Sequence, residues 1–388
     1  MIENDSNLQC HICCSRDVSV FDSFTTLGRA TSDCKPWPKG GQLCICADCY
    51  IVQKVIDSSW RAETSSIYAS YELYHQATDG KEQPVFDSAT GKSAPRSMAV
   101  LNYVKKVIEI KDDIDVIDIG CGVGSMLKSL SKKLSTAKLY GFEPNAHKKE
   151  ELEKIKNVAK IYTDMEQLNN IHFDLLTMIH VLEHIDSPLE VLRKLKNNIE
   201  PNGYLIIVVP DYVSNPFDLI ITDHASHFSS ETLLNLLVKS GLEVIDISNK
   251  IINKEIIAIC KVPAKDKLPV ETTNSSTYNL ILVQKQLDWM ASIIANAKAI
   301  AKTNRPFGIF GTSIAANWMY GELAGKIDFF VDEDLDRVDR LYQLKPVYHS
   351  SNIPHGSHVF VCLQPTVVGK IVDRMSSPAY SLYATPDF

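Results

Sequence analysis

The stretch Asp115-Val-Ile-Asp-Ile-Gly-Cys-Gly-Val-Gly-Ser-Met-Leu decides the fold of this chain. Val116, Ile117 and Ile119 predict a buried parallel strand, because apolar β-branched residues fill nearly consecutive positions. The three glycines that follow predict a tight turn in which no Cβ blocks a ligand from the backbone. A helix over residues 126–134 is expected next, with free N–H groups facing the turn. This strand, turn and helix unit is typical of nucleotide-binding α/β proteins.

The next predicted strand, residues 138–143, ends in the carboxylate of Glu143. A carboxylate at such a strand end can accept hydrogen bonds from both hydroxyls of a ribose. The glycine turn and the acidic strand end therefore predict a cofactor that contains a ribose. They leave two candidates open, a dinucleotide and S-adenosylmethionine (SAM).

The rest of the middle segment alternates helices and strands. Helices are predicted over residues 100–108, from Ser187-Pro188 to Pro201-Asn-Gly203, and from Ser230 to Gly241, and further strands over residues 159–163, 173–179, 204–209, 242–247 and 255–260. An alternation of this kind predicts a mostly parallel sheet covered by helices on both faces.

A series of motifs carries a family resemblance. Asp118-Ile-Gly-Cys-Gly-Val-Gly, Glu143, Asp164 and Phe173-Asp-Leu-Leu-Thr-Met-Ile-His-Val-Leu-Glu-His-Ile resemble the motifs of class I SAM-dependent methyltransferases. The resemblance implies a Rossmann-like α/β core with SAM as the methyl donor. The cofactor residues that it implies are Asp118, Gly120, Gly122 and Gly124 around the methionyl part, Glu143 at the ribose, Asp164 and Met165 at the adenine, and His180 beside the methyl donor.

The segment His180-Val-Leu-Glu-His184 also matches the H-x-x-E-H pattern of some metalloproteases. That pattern requires both histidines within one helix, whereas this segment begins at a predicted strand end. The sequence therefore favours a structural role for His184 over a protease site.

Six cysteines lie before residue 47, and Cys49 follows them. Cys10 with Cys13 and Cys46 with Cys49 form two Cys-x-x-Cys pairs, the spacing that turns four thiolates toward one structural zinc ion. Because a shell of four cysteines leaves no open coordination position, the zinc is expected to stabilise the fold and not to catalyse. The residues that remain alternative ligands are His11, Cys14, Cys34 and Cys44.

The loop after the fifth predicted strand contains Thr222-Asp-His-Ala-Ser-His-Phe-Ser. Ligands bind outside the carboxyl ends of parallel strands, so this loop is expected to face the transferable methyl group. His224 is the favoured base, with His227 behind it and Asp223 orienting it. The alternative is that the segment only caps the next helix.

Tyrosines recur in Ile67-Tyr-Ala-Ser-Tyr-Glu-Leu-Tyr-His75 at three-residue spacing. On a helix they form a packing stripe, or alternatively a lid from which a phenol reaches the acceptor. The catalytic candidates are His224, Asp223, His227, His180 and Tyr71.

A polar linker over residues 264–277 and a helix over residues 280–301 precede Phe307-Gly-Ile-Phe-Gly-Thr-Ser. Strands are expected over residues 326–331 and 358–363, which predicts a second, smaller α/β lobe. The helix that starts near Thr312-Ser313 can receive a phosphate on its N–H groups. The alternative is a lobe that only packs or dimerises.

The whole arrangement resembles the sugar methyltransferases of deoxysugar and surface-polysaccharide pathways, particularly those that methylate carbon on nucleotide-linked keto sugars. It comprises a zinc-binding module with the tyrosine-rich helix (residues 1–78), a SAM-binding core (79–265) and a half-Rossmann lobe (278–388). In that family a Glu-His pair before an aromatic-Phe-Ser segment supplies the base, where this chain has Asp223-His224 and His227-Phe228. O-methylation of a sugar or other small polar acceptor, and a SAM-binding scaffold without catalysis, are the alternatives.

Composition narrows the partners. The 388 residues are 45% hydrophobic and 22% charged, which is ordinary for a soluble protein, and neither a spanning segment nor a secretory signal is recognised. The net charge of −7 opposes nucleic acid as the substrate. A cytoplasmic enzyme is therefore expected, acting on a small molecule such as a nucleotide sugar, with a homodimer left open.

Overall fold

The computed structural model describes residues 8–70, 82, 84–87, 92–145, 149–264 and 276–386. The predicted boundaries at residues 78 and 265 fall outside these ranges, so the division into three segments stays a prediction. Within these ranges, no helix is both long and apolar enough to cross a bilayer.

The first segment forms a small β module. Its elements are β1 (Val18–Val20), β2 (Arg29–Ala30), β3 (Pro36–Trp37), β4 (Leu43–Cys46), β5 (Val52–Lys54) and the helix α1 (Ser58–Ala69). Strand β4 pairs antiparallel with β1 and with β5, while β2 and β3 form a separate hairpin. Helix α1 begins after Asp57, whose carboxylate accepts a hydrogen bond from the Trp60 amide at 2.7 Å.

The middle segment contains the largest sheet. Its elements are β6 (Pro84–Asp87), β7 (Lys92–Pro95), α2 (Arg96–Val107), β8 (Asp115–Ile119), α3 (Ser125–Lys133), β9 (Lys138–Phe142), α4 (Lys149–Leu152), β10 (Val158–Tyr162), β11 (Phe173–Ile179), α5 (Pro188–Lys196), β12 (Ile199–Pro210), β13 (Ser226–His227), α6 (Ser230–Lys239), β14 (Glu243–Ser248) and β15 (Glu255–Lys261). The strand order is β10-β9-β8-β11-β12-β15-β14, in which only β15 runs antiparallel to its neighbours. Since the order reverses between β8 and β11, the carboxyl ends of these two strands frame the expected cofactor crevice.

The last segment repeats this plan on a smaller scale. Its elements are α7 (Ser276–Ile300), β16 (Phe307–Phe310), α8 (Ile314–Glu322), β17 (Phe329–Asp332), β18 (Leu341–Tyr342), β19 (Lys345–His349), β20 (His358–Val361), α9 (Pro365–Met375) and β21 (Ser381–Ala384). The sheet order is β18-β19-β17-β16-β20-β21, with every pair parallel except β18 with β19. The order reverses between β16 and β20, which gives this lobe a crevice position of its own.

Two predicted boundaries are wrong. Pro201-Asn-Gly203 does not end the preceding helix, which stops at Lys196; it lies inside β12 as an irregularity where the register with β11 shifts, and Asn202 has a φ of +68°. The strand predicted from residue 326 begins at Phe329, because the amide of Lys326 bonds back to Leu323 in a turn. Both errors concern turn residues whose backbone contacts the sequence pattern does not reveal.

The segments interlock around the loop of residues 211–229. Strand β13, which lies in this loop, adds to the module sheet by pairing with β5. One apolar core contains residues of the module, the loop, α7 and the last lobe. At its centre the buried ring of Phe217 lies 5.5 Å from Trp289 and 5.6 Å from Trp318. The loop is therefore enclosed on several sides and held in one conformation.

We expect Phe217→Ala to lower the free energy of unfolding by about 3–5 kcal/mol, because it removes a buried ring from a core that spans three segments. Chemical denaturation followed by circular dichroism measures the change. Leu335→Ala is the control, because its side chain is exposed, and its effect should stay within about 0.5 kcal/mol. Equal effects of the two substitutions would contradict the shared core.

Candidate active site

The glycine turn after β8 depends on a left-handed backbone. Gly120, Gly122 and Gly124 have φ values of +68°, +53° and +79°. A Cβ on Gly120 would lie 2.5 Å from Cγ2 of Val181, and a Cβ on Gly124 would lie 2.6 Å from Cδ1 of Ile155. The turn consequently tolerates only glycine at these two positions.

The carboxylate of Glu143 lies directly beside this turn. Its Oε2 accepts a hydrogen bond from the Gly122 amide at 2.9 Å, and its Oε1 accepts one from the Asn145 amide at 3.1 Å. The predicted backbone cradle and the predicted ribose acceptor are thus neighbours at the β8 and β9 strand ends. This donor and acceptor set fits the cofactor that the sequence predicts.

Asp118 and Asp164 accept hydrogen bonds from nearby protein groups. Asp118 is buried under the turn, where Thr177 donates a hydrogen bond to it at 2.6 Å, and burial raises its pKa to about 7. Asp164 accepts a hydrogen bond from the Glu166 amide at 2.9 Å and so caps the short helix Met165–Leu168. Met165 packs against the core of the middle sheet. Both carboxylates thereby shape the edge of the crevice.

His180 ends β11 in a left-handed conformation, with a φ of +54°. Its Nδ1 lies 3.1 Å from Glu183, and its Nε2 lies 3.3 Å from Glu255, which Arg96 also contacts at 2.8 Å. Burial disfavours the imidazolium, but the two carboxylates outweigh it and raise the pKa of His180 to about 9. The two carboxylates therefore favour the imidazolium form of His180.

His224 and His227 share one carboxylate, Asp218. The Nδ1 of His224 donates to Asp218 Oδ1 at 2.9 Å, and the Nδ1 of His227 donates to Asp218 Oδ2 at 2.7 Å. All three side chains are buried. Burial by itself would raise the pKa of Asp218, but the two histidines hold it well below its usual range.

Asp223, which the sequence predicts to orient His224, has different partners. Its Oδ1 accepts a hydrogen bond from the Ser32 amide at 2.8 Å, and the Ser32 hydroxyl donates to Oδ2. Asp223 is buried and joins the loop to the β module, whereas Asp218 is the carboxylate that contacts Nδ1 of His224. Asp218 is six residues away along the chain and comes close through the short helix Pro216–Asp218.

His184 closes the group from the side of the crevice. Its Nδ1 lies 3.0 Å from the Asp223 carbonyl oxygen and 3.1 Å from the Tyr68 hydroxyl. Its ring stands edge-on to His224 with the centroids 4.7 Å apart. Tyr68 belongs to the predicted tyrosine stripe and is exposed. Tyr71, Tyr74 and His75 lie outside the described residues.

The four predicted zinc ligands meet at one point. The Sγ atoms of Cys10 and Cys49 are 3.5 Å apart, those of Cys13 and Cys46 are 3.4 Å apart, and all four lie within 4.8 Å of one another. A tetrahedral zinc ion with bonds of about 2.3 Å requires sulfur separations of about 3.8 Å, so the cluster fits the ion.

The alternative ligands point elsewhere. His11 hydrogen-bonds Ser226 at 2.8 Å, Cys44 faces the carbonyl oxygen of Gln53, Cys34 lies near the amide of Ile314, and Cys14 is exposed. The first Cys-x-x-Cys pair is thus tied directly to the loop of residues 211–229, because His11 lies within this pair and Ser226 precedes His227.

Comparison with known proteins agrees with this geometry. A family model described as a methyltransferase domain matches residues 96–247. The ubiquinone biosynthesis O-methyltransferase of Coxiella burnetii is 25% identical over 176 residues, which cover 38% of this chain and 71% of that protein. The enzyme of the same name from Serratia proteamaculans is 31% identical over 111 residues, which cover 27% and 46%. A SAM-dependent methyltransferase structure from Aquifex aeolicus superimposes with a TM-score of 0.37 at 16% identity, covering 51% of this chain and 98% of that one.

The sheet order, the glycine turn with its acidic neighbour and the matched domain model define a class I SAM-dependent methyltransferase domain. The protein is a SAM-dependent methyltransferase. The predicted Rossmann-like methyltransferase core is therefore confirmed.

Glu143→Gln should weaken SAM binding by about tenfold to a hundredfold, because a hydrogen bond to a charged acceptor contributes about 1.5–3 kcal/mol. Isothermal titration calorimetry measures the dissociation constant. Glu153→Gln serves as the matched control, since this half-exposed carboxylate pairs with Lys149 on α4 and should leave binding unchanged. If both variants bound SAM like the parent protein, Glu143 would not be a ribose ligand.

Proposed function

We propose that this methyltransferase uses His224 to remove a proton from a nucleotide-linked keto sugar and transfers the methyl group to the resulting carbanion. The observation that carries the proposal is the buried pair of His224 and Asp218. Because the Nδ1–H of His224 is held by a carboxylate, the proton acceptor is Nε2. The same carboxylate stabilises the imidazolium that forms.

The reaction balances without a further reactant. When bound, SAM would supply an electrophilic methyl group on a sulfonium, and its sulfur would keep the electron pair of the carbon–sulfur bond that breaks. His224 Nε2 would take the proton from a carbon next to the carbonyl, and the electron pair left on that carbon would form the new carbon–carbon bond. Positioning within the enclosed loop then accounts for much of the rate.

Features of the last lobe support a nucleotide as the handle of the acceptor. Gly311, at the carboxyl end of β16, has a φ of +91°, and Ser313 at the start of α8 makes no side-chain cap. Gln364 follows the adjacent β20 and is buried, and its two polar atoms have no hydrogen-bond partner among the described residues. Backbone N–H groups and a buried amide at the reversal of strand order favour a phosphate or a base.

The turn of residues 31–34 connects this position to the base. Ser32 bonds to Asp223 in the catalytic loop, while Cys34 lies near the amide of Ile314 at the start of α8. The carbonyl oxygen of Cys34 also accepts a hydrogen bond from Tyr342 at 3.2 Å. This connection supports one acceptor site that extends from the loop to the last lobe.

O-methylation is the second candidate, and the relatives favour it. The matched proteins from Coxiella burnetii and Serratia proteamaculans are named O-methyltransferases. His224 would then take the proton from a hydroxyl group, and the oxygen would attack the methyl group. Deuterated water distinguishes the two reactions, because only a carbon acid incorporates deuterium at carbon before transfer.

A panel of nucleotide sugars with methyl-labelled SAM, analysed by mass spectrometry, tests the acceptor class. We expect one keto sugar to gain one methyl group, and His224→Asn to lower kcat by about 10²–10⁴-fold while SAM binding persists. His172→Asn is the control, because this histidine of the same domain is exposed and lies outside the loop of residues 211–229. Full activity of His224→Asn would refute the base, and methylation of hydroxyl acceptors alone would refute carbon as the target.

We further propose that Cys10, Cys13, Cys46 and Cys49 bind one structural zinc ion. Elemental analysis should find one zinc per chain in the parent protein and in Cys14→Ser, whose cysteine is exposed outside the cluster. Cys46→Ser should lose the metal and unfold at a lower temperature, because zinc binding contributes directly to folding. Full zinc content in Cys46→Ser would contradict this ligand set.

A further inference from the structure

Lys54 is a buried lysine with a complete set of partners. It ends β5 in the zinc-binding module, and its Nζ donates to the carbonyl oxygen of Leu219 and lies 2.9 Å from Nε2 of His227. The Nζ also lies 4.7 Å from the centre of the Phe24 ring. Three N–H bonds therefore have three acceptors, one of which is an aromatic face.

The contact with Lys54 determines the protonation of His227. Nδ1 of His227 donates to the Asp218 carboxylate, so the proton of a neutral His227 lies on Nδ1 and its Nε2 accepts from the Lys54 ammonium. His227 is then a neutral imidazole between a cation and an anion. Burial and the Lys54 ammonium both act in this direction and lower its pKa to about 3.

The same line of hydrogen bonds continues to the proposed base. Asp218 Oδ1 accepts from His224 Nδ1, so four buried side chains from two segments of the chain follow one another. In order, they are Lys54, His227, Asp218 and His224.

We propose that Lys54 is a positioning residue of the methyl-transfer site: it holds His227 as a neutral donor to Asp218, and this keeps the other oxygen of Asp218 on Nδ1–H of His224 and leaves Nε2 of His224 able to accept a proton. This proposal rests on the proposed function of His224. It extends that function by assigning part of the active site to the zinc-binding module.

The charges around the two histidines determine the direction in which their pKa values should change when Lys54 is removed. The charged or titratable groups that face the two histidines come from three elements: Asp218 and Asp223 in the loop, Glu183 and His184 after β11, and Lys54 on β5. Arg29 is a further charged group near Lys54. Burial lowers the pKa of Lys54 to about 7, against the attraction of Asp218. Removing this cation leaves the negative charge of Asp218 less compensated. The two histidines, which share that carboxylate, then take up their first proton at a higher pH.

Lys54→Met should therefore move the acidic limb of the kcat/KM profile to higher pH by about one unit, because the base must be neutral to act. Lys54→Arg, which keeps a cation at this position, should shift the acidic limb less than Lys54→Met does. In the His227→Asn background, which keeps a donor toward Asp218 but removes the imidazole, Lys54→Met should shift the limb less. Lys39→Met is the control, since this lysine of the same module is exposed and pairs with Glu322 of α8.

Nitrogen NMR of labelled histidines tests the same arrangement without any substrate. The parent protein should show His227 as a neutral ring with its proton on Nδ1 from pH 5 to 8, assigned by its loss in His227→Asn. In Lys54→Met, a histidine of the pair should titrate at higher pH. A parent His227 that titrates near its usual pKa of about 6.5, or that carries its proton on Nε2, would overturn the proposal even if Lys54→Met failed to fold.

The NMR titration and the activity of His224→Asn distinguish failure of the Lys54 proposal from failure of the His224 proposal. An unchanged histidine titration in folded Lys54→Met would refute the role of Lys54. Correct NMR behaviour together with full activity of His224→Asn would instead refute the proposed base and leave the arrangement of the four side chains intact.

Discussion

The buried carboxylate of Asp218 is the charge on which the arrangement of the active site depends. An isolated ionised carboxylate in the interior is strongly unfavourable, so its two oxygens need donors from fixed directions. His224 and His227 supply them, and each ring is fixed in one tautomer as a result. The two histidines keep these positions only if the backbone of the loop is also fixed. Apolar residues of three segments surround the loop and restrict its backbone. The hydrogen bonds to Asp218 and the apolar packing thus hold the same loop.

The β module also contacts the loop that carries Asp218 and the two histidines. Its sheet continues into the loop through the pairing of β5 with β13, and Lys54 donates its backbone N–H to Ala225 at 3.0 Å as well as its ammonium to the histidine. The cysteine cluster lies at the other end of the same strands, where His11 reaches Ser226. A zinc ion bound by the four cysteines would act by fixing the strands that carry Lys54 and its neighbours.

The fold could be predicted from the sequence where local patterns carry the information. Apolar runs, the glycine turn and Glu143 lie within about thirty residues of one another, and their spacing alone predicts the strand, turn and helix of the core. The cysteine pairs are equally local, and the structure brings together the four sulfurs that their spacing selects. Asp218 and Lys54 could not be found in this way. Asp218 has no motif around it, and Lys54 meets His227 across 173 positions of sequence, so only tertiary pairing reveals either partner.

Glu322 has a consequence for how such chains diversify. Its carboxylate accepts a hydrogen bond from the Gly28 amide of the module and one from Lys298 of α7 at 3.2 Å, while Trp318 on the same helix donates to the Gly28 carbonyl oxygen at 2.9 Å. Each segment therefore presents a surface shaped for its particular neighbours. Exchange of one segment for that of a related chain would separate these hydrogen-bond partners. A change in one segment is therefore expected to need matching changes where it contacts its neighbours.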